Sequence, residues 1–348
     1  MIFSRVSANI SRLQNRYLFL LFFQLSLSPL LAQVVGDVLK TELNNDAVNL
    51  VRDIFIKGTC KNVSNIESSG EPESFGLFER GAEIVGFPDG IILSTGDVRL
   101  AEGPNIFVDT STEFNKASSD KDLMEIATDS LFDVTVLEFD FIPVESEVIF
   151  QYVFASEEYC EFVGTNFNDV FGFFVSGPGI NGPFSDGAIN VARLPNSDEF
   201  VSINTVNHET NQNIYIKNEL RDDVGNCDIM FNPSHISTFE YDGLTIPLLA
   251  RFRVIPCETY HIRLVVGDVA DDKLDSAVFL RSNSFDLGEL ATVKTIIPNQ
   301  KDTVAYENCL DGQFVFTRPV GSFNLRPLVV DFEIDESSTA LELSLIHI

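Results

Sequence analysis

Two stretches in the middle of the chain have a side-chain period of two. In residues 137–141, apolar side chains alternate with acidic ones, and in residues 148–154 apolar side chains recur at every second position. Because successive side chains of a β-strand point to opposite faces, the pattern predicts two half-buried strands. Further strands are predicted at residues 170–175, 189–193, 200–206, 213–216, 246–255, 260–266 and 277–280. Many short strands separated by turn residues predict an all-β fold, an antiparallel β-sandwich of jelly-roll character.

Helical spacing is confined to two short segments. Residues 45–55 begin with cap residues and continue with apolar side chains at positions 47, 48, 51, 54 and 55, which predicts one short N-terminal helix. Residues 120–127 predict a second short helical turn, with Leu123 and Ile126 facing inward. We therefore expect a single β-sandwich domain over residues 34–290.

The first residues resemble a secretory signal. Three arginines precede residues 17–31, which are almost wholly apolar, and Ala32 follows. An apolar stretch of this length is short of the roughly 20 residues that a spanning helix needs. We predict a signal peptide over residues 1–32, a product that is secreted or at the cell surface, and no transmembrane span after cleavage. The alternative is an uncleaved N-terminal anchor.

The chain is strongly acidic, with a formal net charge of −29. Such a surface repels nucleic acid and anionic lipid, so no nucleic-acid partner is expected. The same charge favours divalent cations, of which calcium is abundant outside cells.

Phenylalanine dominates the predicted core, because the chain has 31 Phe and no Trp. Each buried Phe contributes about 1.5 to 3 kcal/mol, so the core does not depend on disulfide bonds. The five cysteines, an odd number, match no zinc motif. We predict first a Cys227–Cys257 bridge, because these residues flank a strand-rich segment of one domain, and second a Cys60–Cys160 bridge. Sequence alone does not fix the connectivity.

After residue 290 the strand pattern restarts. Residues 303–309, 313–318 and 328–334 predict three strands of a second β-sandwich, spanning residues 300–348. Three strands do not close a sandwich, so this domain is expected to be incomplete. Residues 343–348 resemble translated adapter sequence, and we expect a truncated gene and anchoring through a missing C-terminal region.

Five ordered motifs resemble the choice-of-anchor L domain over residues 45–290. They comprise residues 90–98 with 103–105, then 137–143, 152–163, 168–179 and 268–279. The resemblance implies a domain of large secreted and surface proteins of Bacteroidota-type bacteria, attached by differing C-terminal anchors. It also implies no established catalytic activity.

The residues after 300 are similar to the start of a Calx-beta-type repeat. The similarity covers Tyr306, Glu307, residues 314–318 and residues 338–340. It implies an extracellular β-sandwich, often calcium-binding, in which Glu307 matches an early acidic ligand. The later acidic loop is absent.

Two groups of oxygen ligands follow predicted strands. Glu157 and Glu158 end one strand, Asn168 and Asp169 begin the next, and an acidic loop joins two later strands. That loop contains Asp268, Asp271, Asp272 and Asp275. Calcium takes six to eight oxygens, so we hypothesise one calcium site drawing on either group. The alternative is that the Glu pair caps backbone N–H groups and the Asp loop is solvated.

Catalysis is not expected. Adjacent strand residues point to opposite faces, so Glu157 and Glu158 do not form the facing carboxylate pair of a glycosidase. The four histidines are scattered, and no GxSxG, HExxH or P-loop motif occurs. We predict a non-catalytic module of an adhesin-like protein that contacts extracellular glycan or protein through its loops. The alternative is a secreted hydrolase or its accessory carbohydrate-binding part.

Overall fold

The computed structural model describes residues 38–58, 61–105, 110–218, 238–288, 292–296 and 313–317. The chain divides into two compact units, Met1–Leu287 and Gly288–Ile348. The predicted signal peptide lies outside the described residues. Among the residues that are described, no helix has the length and apolarity needed to cross a membrane.

The described part of the first unit contains fourteen strands. In chain order they are β1 (Lys40–Leu43), β2 (Val63–Ser69), β3 (Phe75–Glu79), β4 (Asp89–Ser94), β5 (Ala117–Ser118), β6 (Leu131–Phe141), β7 (Glu147–Ser156), β8 (Val170–Ser176), β9 (Ile189–Asn190), β10 (Tyr215–Lys217), β11 (Gly243–Thr245), β12 (Leu248–Arg253), β13 (Tyr260–Val269) and β14 (Ser276–Arg281). The two strands predicted from alternation, within β6 and β7, are confirmed.

These strands form two antiparallel sheets. The eight-stranded sheet has the order β1-β3-β4-β14-β7-β11-β10, with β12 also paired to β7. The six-stranded sheet has the order β2-β6-β13-β8-β9, with β5 also paired to β6. The predicted all-β sandwich is therefore confirmed.

The main core, which contains residues from both sheets, is built on phenylalanine rings. Phe285 lies at its centre, with ring centroids 5.1 Å from Phe55, 5.3 Å from Phe139 and 5.4 Å from Phe150. All four side chains are fully buried. Edge-to-face and stacked contacts of this kind add about 0.5 to 1.5 kcal/mol per pair to the burial of apolar area.

Two further apolar clusters involve the same sheets. One includes Phe78, Val153 and Phe279 of the eight-stranded sheet, and the other includes Phe174 and Val265 of the six-stranded sheet. Strands such as β8 are consequently buried on both faces, which explains why residues 170–175 form a continuous apolar run rather than an alternating one.

Both predicted helices are present. The first is a π-helix, Asn49–Phe55, preceded by a short α-helical turn in which Asp46 Oδ1 accepts hydrogen bonds from the backbone N–H groups of Val48 and Asn49. The second is an α-helix, Lys121–Met124, capped by Asp120 and burying Leu123. Each ends within two turns, so the sheets dominate the fold.

Three strand predictions were wrong in part. In the predicted strand 213–216, the first two residues belong to a 3-10 helix, Gln212–Ile214, and β10 begins only at Tyr215. Residues 200–206 form turns with isolated bridges instead of a strand, and the predicted strand 189–193 is reduced to Ile189–Asn190. The local reason is a side-chain turn: the backbone N–H of Ser202 donates to Thr205 Oγ1 at 2.9 Å. Ser and Thr side chains that bond nearby backbone compete with strand pairing in this way.

The predicted Cys227–Cys257 bridge is wrong. Cys257 is a free, exposed thiol, and its backbone N–H is held in a turn by the carbonyl of Pro143 at 2.8 Å. Flanking the same segment does not determine pairing, since a disulfide needs a specific Cα and Cβ geometry. Cys160 is buried and disulfide-bonded. The predicted Cys60–Cys160 pair includes a residue outside the described ranges and stays a prediction.

In the second unit, β15 (Thr292–Ile296) and β16 (Gln313–Thr317) form an antiparallel pair. The predicted strand at residues 313–318 is confirmed as β16. The predicted strands at 303–309 and 328–334 lie outside the described residues.

Candidate metal centre

Strand pairing brings the predicted acidic residues to one end of the sandwich. Ser156, the last residue of β7, is opposite Ser276 of β14 on one side and Gly243 of β11 on the other. Continuing this register places Glu157 beside Asp275 and Asp242. The backbone N–H of Glu157 donates to the carbonyl of Asp275 at 3.1 Å, which confirms one of these neighbours directly.

Glu157 is 1 % exposed. Within the described residues, neither of its carboxylate oxygens has a hydrogen-bond partner. Burial raises the pKa of Glu157 well above its usual range, and the charges of Asp242, Glu240 and Asp275 raise it further. A buried carboxylate without donors is costly in its ionised form, so the position demands a proton or a cation.

Glu158 is also 1 % exposed but has different neighbours. Burial raises its pKa to about 10, and the charges of Asp169 and Asp271 act in the same direction. Its Oε2 has no hydrogen-bond partner among the described residues. Apart from Glu161, whose charge acts on both, the two glutamates have different charged neighbours, as strand alternation predicts.

Asp169 joins the two sheets at this end. Its carboxylate accepts hydrogen bonds from the backbone N–H of Val269 at 2.9 Å and from Ser276 Oγ at 2.7 Å. Burial nevertheless raises the pKa of Asp169 to about 7. Beside it, the pKa of Asp268 is raised well above its usual range by burial and then by the charges of Asp169 and Asp275. In the described structure, Oδ1 of Asp268 has no partner.

Asp275 is held by the backbone N–H of Thr112, which lies 3.0 and 3.1 Å from its two oxygens. Burial raises the pKa of Asp275 to about 7. A Cβ at Gly96 would lie 1.8 Å from Oδ2 of this carboxylate. Gly96, in the first of the resembling motifs, is thus the residue that leaves room for the Asp275 side chain.

The other two predicted ligands differ from this group. Oδ1 of Asn168 accepts the backbone N–H of Asn204 at 2.8 Å and so holds a neighbouring loop. Asp271 is half-buried and accepts the backbone N–H of Lys273 at 3.3 Å. Its charge still raises the pKa values of Glu158 and Asp169.

Sequence reasoning missed two acidic residues, Glu240 and Asp242. Thr110 Oγ1 donates to Glu240 at 2.6 Å, and Asn105 Nδ2 donates to Asp242 at 2.7 Å. The available signal is the alternation of aromatic and acidic side chains in residues 239–242. The acidic residues at this end of the sandwich fall into two groups, each named after its glutamate. The Glu158 pocket comprises Glu158, Asp169, Asp268 and Asp271, and the Glu157 pocket comprises Glu157, Glu240 and Asp242.

The two pockets are rich in oxygen acceptors, and a buried cation, Lys217, lies beside the Glu157 pocket because it pairs with Gly243 next to Asp242. Among the described residues, no Lys, Arg or His side chain pairs with Glu157, Glu158 or Asp268. In that same part of the chain, no three side chains of His, Cys, Asp or Glu already converge on one point in a metal-binding arrangement. The donor chemistry of these carboxylates fits a hard cation such as calcium.

The remaining candidates for catalysis do not join these pockets. His261 is on β13, where its Nδ1 lies 2.7 Å from Asp140 Oδ1 and its Nε2 lies 3.6 Å from Glu138 Oε2. Glu157 and Glu158 have separate surroundings, whereas a glycosidase needs two carboxylates flanking one cleft.

The sequence model of the choice-of-anchor L domain matches residues 38–286. The chain belongs to the choice-of-anchor L family. This family comprises non-catalytic modules of surface-associated proteins. Both acidic pockets lie entirely within the part of the chain that matches the choice-of-anchor L domain. No curated protein and no solved structure matches the chain.

Proposed function

We propose that the chain is a non-catalytic module of a secreted or cell-surface protein, stabilised by calcium bound in the Glu158 pocket. The observation that carries the calcium site is the pair of buried oxygens, Glu158 Oε2 and Asp268 Oδ1, that lack hydrogen-bond donors in the described structure. Both oxygens belong to carboxyl groups whose pKa values are raised by the charge of the neighbouring Asp169, after the larger effect of burial.

Calcium fits this pocket for three reasons. It prefers oxygen ligands, it accepts six to eight of them in flexible geometry, and backbone carbonyls and water supply part of the set. Because the carboxylates do not yet converge, binding would draw them together around the ion. The ion would replace their mutual repulsion with attraction, so folded protein would be stabilised.

Isothermal titration calorimetry with calcium on chelator-treated protein tests this function. We expect binding in the wild type and its loss from the Glu158 pocket in Glu158→Gln, which keeps the side-chain shape but removes the charge. Glu145→Gln, at an exposed position, is the matched control and should bind as the wild type does. No heat, together with no change in melting temperature on adding calcium, would overturn the calcium site.

We propose further that the module contacts extracellular glycan at a polar cavity bordered by the six-stranded sheet. This cavity has a volume of about 280 Å³, and its lining includes Glu138, Ser176, Asp186, His261 and Arg263. Carboxylates, hydroxyls and a guanidinium offer both acceptors and donors to sugar hydroxyl groups. A glycan array compares the wild type with Asp186→Asn. Loss of a bound glycan in Asp186→Asn supports this glycan site. If the wild type binds protein partners but no glycan, the glycan proposal is overturned in favour of a protein-binding role.

The same cavity also favours a second candidate function, that of an accessory carbohydrate-binding part of a hydrolase. Release of reducing sugar from a polysaccharide panel by the purified chain would favour a hydrolase instead.

A further inference from the structure

The Glu157 pocket contains buried acceptors that nothing in the described structure satisfies. Both carboxylate oxygens of Glu157 and Oδ1 of Asn218 are buried without a hydrogen-bond partner among the described residues. Asn218 belongs to the same region, since its backbone N–H donates to the carbonyl of Asp242 at 2.7 Å. Three oxygens with no donor in one buried region require an electropositive group.

The nearby donors are already committed to other acceptors. The amide of Asn105 donates to Asp242 and the hydroxyl of Thr110 donates to Glu240. The amide nitrogen of Asn218 donates to the carbonyls of Phe239 and Tyr241 at 3.0 and 2.9 Å. These bonds orient the carboxyl groups, and they leave Glu157 with acceptors alone.

The Glu157 pocket is distinct from the Glu158 pocket. The charges that act on Glu157 come first from Asp242 and Glu240, on the segment leading into β11, whereas those that act on Glu158 come from Asp169 and Asp271. Asp275 and Glu161 link the two pockets, because the charge of Asp275 acts on both Glu157 and Asp268 and the charge of Glu161 acts on both Glu157 and Glu158. A cation held by Glu157 would therefore use a largely separate ligand set.

We propose that the Glu157 pocket binds a second calcium ion, through Glu157 and Asp242 together with neutral oxygens such as Oδ1 of Asn218. This second site rests on the proposed calcium-stabilised function and adds an ion to it, but its occupancy does not require calcium in the Glu158 pocket. Two carboxylates with amide and backbone oxygens are ligands of the kind that calcium takes, and water completes the coordination.

Ion stoichiometry tests the second site. Native mass spectrometry and calorimetry on the purified protein, with calcium alone, should give two ions per chain. Glu157→Gln and Glu158→Gln should each reduce the count to one, and the double variant to none. If the wild type itself binds a single ion that Glu157→Gln retains, the second site is overturned while the proposed function stands. If the wild type binds none, both fall.

Terbium luminescence gives a second readout that does not depend on the folding of the Glu157 variant. The chain has no Trp, so sensitised emission comes from tyrosine. Buried Tyr241 lies near both pockets, because its pKa is raised by burial and then by the charges of Asp275, Glu157 and Asp268. Tyr241→Phe should lower the emission while leaving two ions bound. Emission that Tyr241→Phe leaves unchanged in Glu158→Gln protein, where the Glu157 pocket alone is filled, would overturn the site.

Discussion

The hydroxyl of Ser276 donates a hydrogen bond of 2.7 Å to Oδ2 of Asp169. Ser276 begins β14 in the eight-stranded sheet, and Asp169 immediately precedes β8 in the six-stranded sheet. One buried hydrogen bond thus connects the two layers at the end where the acidic residues meet. The same hydrogen bond lowers the pKa of Asp169, whereas burial, the larger effect, raises it.

Ser276→Ala removes this donor and leaves a buried carboxylate oxygen unpaired. A loss of that kind costs about 1 to 3 kcal/mol, so the free energy of unfolding in chelator should fall by that amount. Urea denaturation at pH 8, where Asp169 is ionised, measures it. Ser282→Ala, at a half-buried position outside the cluster, is the control and should change stability by less than about 0.5 kcal/mol. Equal effects of the two variants would contradict the role of the bond.

The sequence predicted the strands whose two faces differ. Over Leu137–Phe141 of β6 and Val148–Tyr152 of β7, one face packs in the core and the other is only half-buried, so the two-residue alternation is visible. Residues 200–206 are apolar enough for a strand, yet Thr205 Oγ1 accepts the backbone N–H of Ser202 and donates to the carbonyl of Phe200, which closes a turn. That competition is decided by a few local hydrogen bonds that apolar periodicity does not report.

The candidate centre was predictable in part, for a related reason. Glu157, Asp169 and Asp275 adjoin strand ends that pattern alone could place. Asp242 joins Glu157 only because Gly243 pairs with Ser156, a register set by contacts between distant segments. No local signal carries that register, so the division into two pockets emerged only from the fold.

The thiol of Cys257 is expected to react rapidly with a thiol reagent in the native protein, because it is free and exposed. An aromatic disulfide reagent releases an aromatic thiolate when it reacts with a cysteine, and the absorbance of that thiolate measures the rate. Cys257→Ser should remove the fast-reacting thiol and change the free energy of unfolding by less than about 0.5 kcal/mol. Persistence of the full fast phase in the variant would contradict this assignment.

Phe285→Ala should be among the most damaging single changes in the sandwich core. The ring is fully buried and contacts the rings of Phe55, Phe139, Phe141 and Phe150. Truncations of buried phenylalanine cost about 3 to 5 kcal/mol, and this site has rigid aromatic walls that limit collapse into the cavity. Urea denaturation measures the loss.

Phe285→Leu and Leu249→Ala are the controls for that truncation. The leucine variant refills part of the cavity and should lose less stability than Phe285→Ala. Leu249 is 43 % exposed, so its truncation should cost less than about 0.5 kcal/mol. A small effect of Phe285→Ala would show that the aromatic cluster is not the main source of core stability.

Asp133→Asn should change how stability depends on pH. Burial raises the pKa of Asp133 to about 6, and the charges of Asp272 and Glu71 add to it. The folded state therefore holds this proton up to a higher pH than the unfolded state does. The resulting stabilisation of the folded state is present below pH 4 and is lost as pH rises through about 6. Asn has no proton to lose, and its amide oxygen still accepts from Lys116 N–H. Urea denaturation in chelator at pH 4.5 and 8 should show the wild type losing about 1 to 3 kcal/mol more than Asp133→Asn. The exposed Asp89→Asn variant should follow the wild type, and parallel pH profiles for all three proteins would refute the assignment.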